Sequence, residues 1–111
     1  SFIGFSNSVE DISDGTQTAI SVSTALTLLQ TAGTNATTLA NGTVVGQIKI
    51  IVHDTDGGST EMTPATPLGF VNADFVTAGD TLTCMWTGSA WVVLASHAAA
   101  ANTGVAEVSD D

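Results

Sequence analysis

Short runs of alternating apolar and polar residues, separated by glycine turns, dominate the centre of this sequence. In residues 47–53 the apolar positions are Ile48, Ile50 and Val52, and the polar positions are Gln47, Lys49 and His53. Successive side chains of a β-strand point to opposite faces of the sheet. This run therefore predicts a strand that buries the first set and exposes the second, with His53 on the polar face.

A second alternating run covers residues 81–87 and is followed by the turn Gly88-Ser89 and a third run over residues 90–96. A glycine-containing turn between two alternating runs predicts a β-hairpin. The residues that the first strand of this hairpin should bury are Leu82, Cys84 and Trp86.

Residues 19–30 carry apolar side chains at the even positions Ile20, Val22, Leu26 and Leu28. That spacing favours a strand, although residues 25–29 alone also fit one helical turn. The dipeptides Asn41-Gly42 and Gly57-Gly58 are turn signals, and the second favours a glycine hairpin turn. Short strands at about 8–12 residue spacing predict an all-β fold, an antiparallel β-sandwich or a jelly-roll-like domain.

The 111 residues fit one domain, which we divide into an N-terminal arm (1–18), a β-sandwich domain (19–97) and a C-terminal tail (98–111). The arm begins with Phe2, Ile3 and Phe5, and such residues favour an arm that packs on another surface rather than joining the sheet; a flexible segment is the alternative. The tail is a second arm or is disordered. Cys84 is the single cysteine, so no intramolecular disulfide can form, and its apolar strand face predicts a buried hydrophobe.

The charge balance excludes several classes of partner. Eleven acidic residues face one basic residue, Lys49, for a formal net charge of -10. Nucleic-acid binding requires lysine and arginine to displace phosphate counterions, and anionic membranes are disfavoured for the same reason. The acidity is typical of a surface that docks on a basic partner, or of a chain adapted to salt. We expect a soluble protein, since no apolar run approaches the roughly 20 residues of a membrane span and the start lacks a signal-peptide pattern.

Residues 54–61 suggest a calcium loop, because hard cations take several carboxylate oxygens. Counted from Asp54, however, the sixth position is Ser59 instead of glycine and the twelfth is Ala65 instead of glutamate. A glycine hairpin turn is therefore favoured over a metal site. His53 and His97 are the only imidazoles, too few for a zinc site, so we predict no metal and no cofactor.

Catalytic patterns are equally weak. The sequence lacks a Gly-x-Ser-x-Gly elbow, and its acids cluster in turns and near the termini, where solvated charge is the usual state. Trp86 and Trp91 could stack on sugar rings if exposed, but each shares its strand face with apolar residues, which favours packing in the core. We therefore predict that the protein is not an enzyme.

A series of short motifs follows in order: Leu39-Ala40-Asn41-Gly42-Thr43, Gly46-Gln47-Ile48-Lys49, Gly57-Gly58, Met62-Thr63-Pro64, Ala78-Gly79-Asp80-Thr81 and Trp86-Thr87-Gly88-Ser89-Ala90-Trp91-Val92-Val93. In this order and spacing they resemble a β-rich domain of small structural proteins of tailed bacteriophages. The resemblance covers about the middle half of the chain. Asn41 stands where an aspartate is common in that pattern, and Val45 is an extra residue before Gly46.

The resemblance implies a virion component without enzymatic activity, and the short chain favours a capsid decoration (cement) protein on the outside of a phage head. Its expected partners are the major capsid protein and further copies of itself, as a homo-oligomer and most simply a homotrimer. The expected interface residues are Phe2, Ile3, Phe5, Ile51 and Met85, of which the last two are apolar residues on strand faces predicted to be polar. The alternative is a fibre, spike or receptor-binding module that recognises carbohydrate.

Overall fold

A computed structural model of the chain describes residues 9–12, 19–31, 33–55, 57–97 and 100–102. Within these ranges the chain is all-β, which confirms the predicted class, and it contains no helix able to span a membrane. The strands are β1 (Val9–Ile12), β2 (Leu26–Gln30), β3 (Gly33–Leu39), β4 (Ile48–Thr55), β5 (Gly58–Pro64), β6 (Asn72–Phe75), β7 (Thr81–Trp86), β8 (Trp91–His97) and β9 (Ala100–Asn102). The first sheet has the order β1-β2-β4-β7-β8 and the second has the order β3-β5-β6-β9.

The first half of the chain winds alternately between the two sheets. β2 and β4 lie in the first sheet, whereas β3 and β5 lie in the second, so neighbouring strands within each sheet run parallel. Before β2, the chain also contacts the second sheet, because Ile20 forms an isolated parallel bridge with Leu39 of β3. Parallel neighbours require a crossover connection, and here a strand of the opposite sheet supplies it. The prediction of an antiparallel arrangement is therefore wrong for these strands.

The second half of the chain is antiparallel. β6 and β9 extend the second sheet, and β7 and β8 extend the first. The predicted hairpin is confirmed, because β7 pairs with β8 across a turn in which Gly88 has a φ of 104°. Only glycine adopts that conformation without steric cost.

Strands also form in the two segments that flank the predicted sandwich domain. β1 falls inside the predicted arm, yet it pairs with β2 at the edge of the first sheet. β9 falls inside the predicted tail, yet it pairs with β6. Both segments are short and lack clear alternation, so their partners, which are distant in sequence, determine their structure. The remaining arm residues Phe2, Ile3 and Phe5 lie outside the described residues.

The buried faces of the two sheets share one hydrophobic core. Trp91 is its largest fully buried side chain, and its ring lies 5.5 Å from that of Trp86, centroid to centroid. The indole Nε1 of Trp91 donates a hydrogen bond to the carbonyl oxygen of Ala40 at 2.9 Å. Cys84 is fully buried beside Leu82, as the alternation predicts. Burial raises the pKa of its thiol to about 12, so that the thiol remains protonated in the core.

The faces of β2 and β4 are the reverse of the prediction. β4 buries Lys49, Ile51 and His53, and β2 buries Thr27 and Leu29. The residues predicted for the core are only half-buried and point to the other side of the sheet; they are Leu26, Leu28, Ile48, Ile50 and Val52. Both faces of these strands carry aliphatic residues, so alternation alone does not determine which face meets the second sheet.

Candidate interaction surface

The reversal creates an apolar surface on the outside of the first sheet. We name it the outer aliphatic face and define it by Val9, Leu26, Leu28, Ile48, Ile50, Val52, Met85 and Val92, which share one side of the sheet by strand alternation. Pairing between strands arranges them in rows. One row runs Val9–Leu26–Ile50, the next pairs Leu28 with Val52, and the third runs Ile48–Met85–Val92. A contiguous apolar surface rimmed by polar residues is typical of a protein contact site.

Two carboxylates of the described residues lie on the same side of the first sheet as this face. Asp11 pairs with Leu28 on the edge strand β1, and Asp54 follows Val52 near the end of β4. Asp11 Oδ1 accepts a hydrogen bond from Gln30 Nε2 at 2.6 Å. The eight members of the face carry no charge. A partner of any net charge can therefore approach its centre without desolvating an ion, a step that costs several kcal/mol per unpaired group.

Lys49 lies on the opposite, buried side of β4. Its ammonium Nζ donates to the carbonyl oxygen of Thr24 at 3.0 Å and to Thr24 Oγ1 at 2.9 Å. Burial lowers the pKa of Lys49 to about 8, while the charge of Glu10 acts in the opposite direction. Glu10 Oε1 in turn accepts hydrogen bonds from Thr27 Oγ1 and from the backbone N–H of Ser21. The ammonium of Lys49 thus connects β4 to the segment before β2 on the buried side of the sheet.

His53 is also fully buried, which contradicts its predicted place on the polar face. Its Nδ1 lies 3.0 Å from the carbonyl oxygen of Thr77, and its Nε2 lies 3.0 Å from Thr31 Oγ1. Because a carbonyl oxygen can only accept, Nδ1 donates the hydrogen bond to Thr77. Both ring nitrogens are within hydrogen-bond distance of protein groups. His53 therefore connects β4 to the residues that follow β2 and β6.

The segment after β4 is a corner between sheets instead of the predicted hairpin turn, because β4 and β5 belong to different sheets. Asp56 lies outside the described residues. The backbone N–H of Gly57 donates to Thr31 Oγ1 at 3.1 Å, so this corner is fastened to the end of β2. Across the residues that the structure does describe, no group of three or more histidine, cysteine, aspartate or glutamate side chains could hold a metal ion.

A groove of about 550 Å³ with polar and apolar lining lies on the second sheet, where β3, β5 and β6 run side by side. Its lining includes Thr34, Asn35, Ser59, Glu61 and Asp74. Glu61 Oε2 accepts a hydrogen bond from Asn72 Nδ2 at 3.1 Å, whereas Asn35 Oδ1 is buried without a hydrogen-bond partner. Hydroxyl, amide and carboxylate groups in one groove can form hydrogen bonds with a polar ligand.

The aromatic pair takes no part in such a site. Trp86 is 6% exposed and Trp91 is fully buried, which confirms that both pack in the core. Stacking on a sugar would require an open ring face.

The predicted contact residues Ile51 and Met85 lie on opposite sides of the first sheet. Ile51 is fully buried in the core, because its side of β4 faces the second sheet, so the premise that placed it on an exposed polar face is wrong. Met85 is half-buried and belongs to the outer aliphatic face. Sequence reasoning missed most of this face because it assigned the same residues to the core. The sequence signal that could have indicated this face is the presence of aliphatic residues on both sides of β4.

Comparisons with known proteins give no further assignment. No protein-family model matches the chain, and no curated protein is similar to it.

Proposed function

We propose that this chain is a structural protein of a virion, a decoration (cement) protein that binds the outside of a phage head and stabilises the shell. The outer aliphatic face is the observation that carries this proposal, because a sheet with an uncovered aliphatic side is built for contact with protein. The motifs that resemble those of small phage structural proteins favour the same function. The major capsid protein and further copies of the chain are the proposed partners.

The buried ionisable groups favour a structural role over catalysis. Lys49 and His53, two residue types common in acid–base catalysis, are both fully buried and hydrogen-bonded to threonines or backbone carbonyls. A general acid or base needs a substrate within hydrogen-bond reach. In this proposal the two sheets form a β-sandwich, and these residues fasten its strands.

The mechanism is mechanical. Many copies bridge junctions between shell subunits. Their contacts add to those between the subunits themselves, so the shell resists the pressure of the packaged genome. The only lysine is buried, so the surface around the outer aliphatic face is acidic, and this acidic surround can complement basic patches of the shell.

Labelling of intact particles tests this function. We expect a gold-tagged antibody against the chain to decorate heads in electron micrographs. We also expect binding of the purified chain to undecorated shells to weaken as NaCl rises from about 0.05 M to about 0.5 M, because salt screens contacts between acidic and basic surfaces. A label on tails, or particles that lack the chain, would contradict the proposal. Binding that does not change with salt would show that apolar contacts, and not charges, hold the chain on the shell.

The groove on the second sheet favours one alternative, a receptor-binding module that recognises carbohydrate. If this is correct, the chain binds a component of a glycan array, and Glu61→Gln lowers that affinity at least about tenfold through loss of a charge-assisted hydrogen bond. Asp11→Asn, an acidic position on the first sheet, is the matched control and should leave binding unchanged. Equal affinity of both variants would remove the groove from consideration.

A further inference from the structure

We propose that the free edge of β3, along residues 33–37, binds an extended segment of another protein in which a lysine or arginine lies between two hydroxyl or amide side chains. A segment that binds in this way adds a strand to the second sheet through backbone hydrogen bonds, and its alternate side chains give specificity. The inference goes beyond the proposed function and does not depend on it.

The four edge strands of the two sheets differ in how well they are protected from pairing. β1 carries two acidic residues and β9 is three residues long. β8 has Leu94 as an extra residue opposite β7, and Pro67 forms a bridge with its first residue, Trp91. Short length, charges and bulges are the usual means of protecting an edge. β3 has none of them, because it is seven residues long, uncharged and paired with β5 without a register shift.

The backbone of β3 leaves hydrogen-bonding groups open on this edge. The N–H of Ile20 donates to the carbonyl oxygen of Thr38 at 2.8 Å, so that carbonyl points away from β5. Alternate residues of a strand direct their N–H and C=O groups to the same side, so those of Thr34 and Ala36 point the same way. Among the described residues no strand pairs with β3 on this side, and the bridge from Ile20 to Leu39 closes only its end. Two donors and two acceptors of the backbone are therefore open to an added strand.

Two buried polar side chains on the inner side of β3 also lack a partner. Within the part of the chain that the structure describes, Asn35 Oδ1 and Thr37 Oγ1 are buried without a hydrogen bond, and Thr37 is only 4% exposed. Leaving such groups unpaired destabilises a protein. A strand beside β3 would place a side chain next to each of them, and a hydroxyl or amide group there can donate to both oxygens.

The outer side of β3 favours a basic residue between those two. Ala36 pairs with Glu61 and Glu61 pairs with Asp74, so two carboxylates lie side by side and line the groove next to β3. The small side chain of Ala36 leaves room for a lysine or arginine of the added strand to reach the carboxylate of Glu61. The segment does not come from a second copy, because this chain has no arginine and its single lysine, Lys49, is buried.

Titration of the isotope-labelled full chain with a capped hexapeptide that alternates threonine and arginine tests the inference by NMR. We expect a dissociation constant on the order of 100 µM in about 0.15 M NaCl, with the largest amide shifts at Thr34 and Ala36. A peptide with the same three threonines followed by the same three arginines should bind at least about tenfold more weakly, because it lacks the alternation. Ala36→Lys places a charge on the edge and beside Glu61, so it should weaken binding of the alternating peptide at least about tenfold. Ser89→Lys adds the same charge at an exposed turn and should bind as the unmodified chain does.

Glu61→Gln covers the case in which Ala36→Lys fails to fold, which tryptophan fluorescence of the buried pair would reveal. It keeps the edge and removes one carboxylate, so affinity for the alternating peptide should fall about threefold, whereas Asp11→Asn on the first sheet should leave it unchanged. Equal binding of both peptides would mean attraction by net charge alone and would overturn the inference. A folded Ala36→Lys variant with unchanged affinity, or no amide shift in β3 at about 1 mM peptide, would do the same. Head labelling tests the decoration function separately, so either proposal can fail while the other stands.

Discussion

Gly58→Ala is expected to destabilise the fold severely, lowering the free energy of unfolding by at least about 3 kcal/mol. Gly58 opens β5 and lies directly opposite Gly33 in the parallel pair with β3. A Cβ atom at Gly58 would overlap the N, C and O atoms of Gly33. A backbone cannot rotate aside as a side chain can, so β3 and β5 would have to separate where the corner enters the second sheet. Urea unfolding monitored by tryptophan fluorescence measures the loss.

Gly69→Ala is the matched control. Gly69 has a φ of +86°, but an added Cβ would meet no atom within 4 Å. The cost is then only that of a left-handed backbone conformation, about 1 kcal/mol. If both variants lost equal stability, the close approach of β3 and β5 would not be what requires glycine at position 58.

The example shows how far the sequence predicts this fold. Gly57-Gly58 correctly marks an interruption between two strands, because glycine tolerates conformations that other residues avoid. A glycine turn does not reveal whether the next strand pairs with the previous one or crosses to another sheet. Alternation is the same in parallel and antiparallel strands. Most strands were therefore predictable, with the exception of β1 and β9, whereas the winding of β2 to β5 between the sheets was not.

Prediction of the buried face succeeded where only one side of a strand is apolar. β7 alternates Leu82, Cys84 and Trp86 with mostly polar positions, and these three residues are buried as expected. β4 has aliphatic residues on both sides, and it buries the side that carries Lys49 and His53. The groups that satisfy these two side chains, on Thr24, Thr31 and Thr77, are distant in sequence. Local pattern contains no information about such partners.

The candidate site was predictable only in part for the same reason. Met85 was singled out because it is an apolar residue at a position expected to be polar, and it does lie on the outer aliphatic face. Ile51 was selected by the same criterion and lies in the core. The criterion depends on assigning the faces of each strand correctly, which for β4 requires knowing where the second sheet lies.

Stability is expected to rise with pH just above neutrality, then to level off and fall. The folded chain holds the pKa of Lys49 at about 8, against an ordinary value of 10.5, so the charged form is disfavoured in the core. Below pH 8 folding carries the full cost of burying the charge, and this cost disappears as pH rises from 8 to 10.5. The pKa of Cys84 is raised to about 12 from an ordinary 9.0, so the unfolded thiol ionises first and stability is lost between pH 9 and 12.

These two titrations should be separable, because the sequence has one lysine, one cysteine and no tyrosine. Each contributes about 1.4 kcal/mol per pH unit, so the unfolding free energy should rise from pH 8 to 9, stay level to about 10.5 and fall above it. In Cys84→Ala the rise should continue to about pH 10.5, for a total on the order of 3 kcal/mol. In Lys49→Met the curve should stay flat to pH 9 and then fall. If the unfolding free energy of Lys49→Met still rose between pH 8 and 9, another group would cause the rise. Burial of the Lys49 ammonium would then not lower the stability of the folded chain.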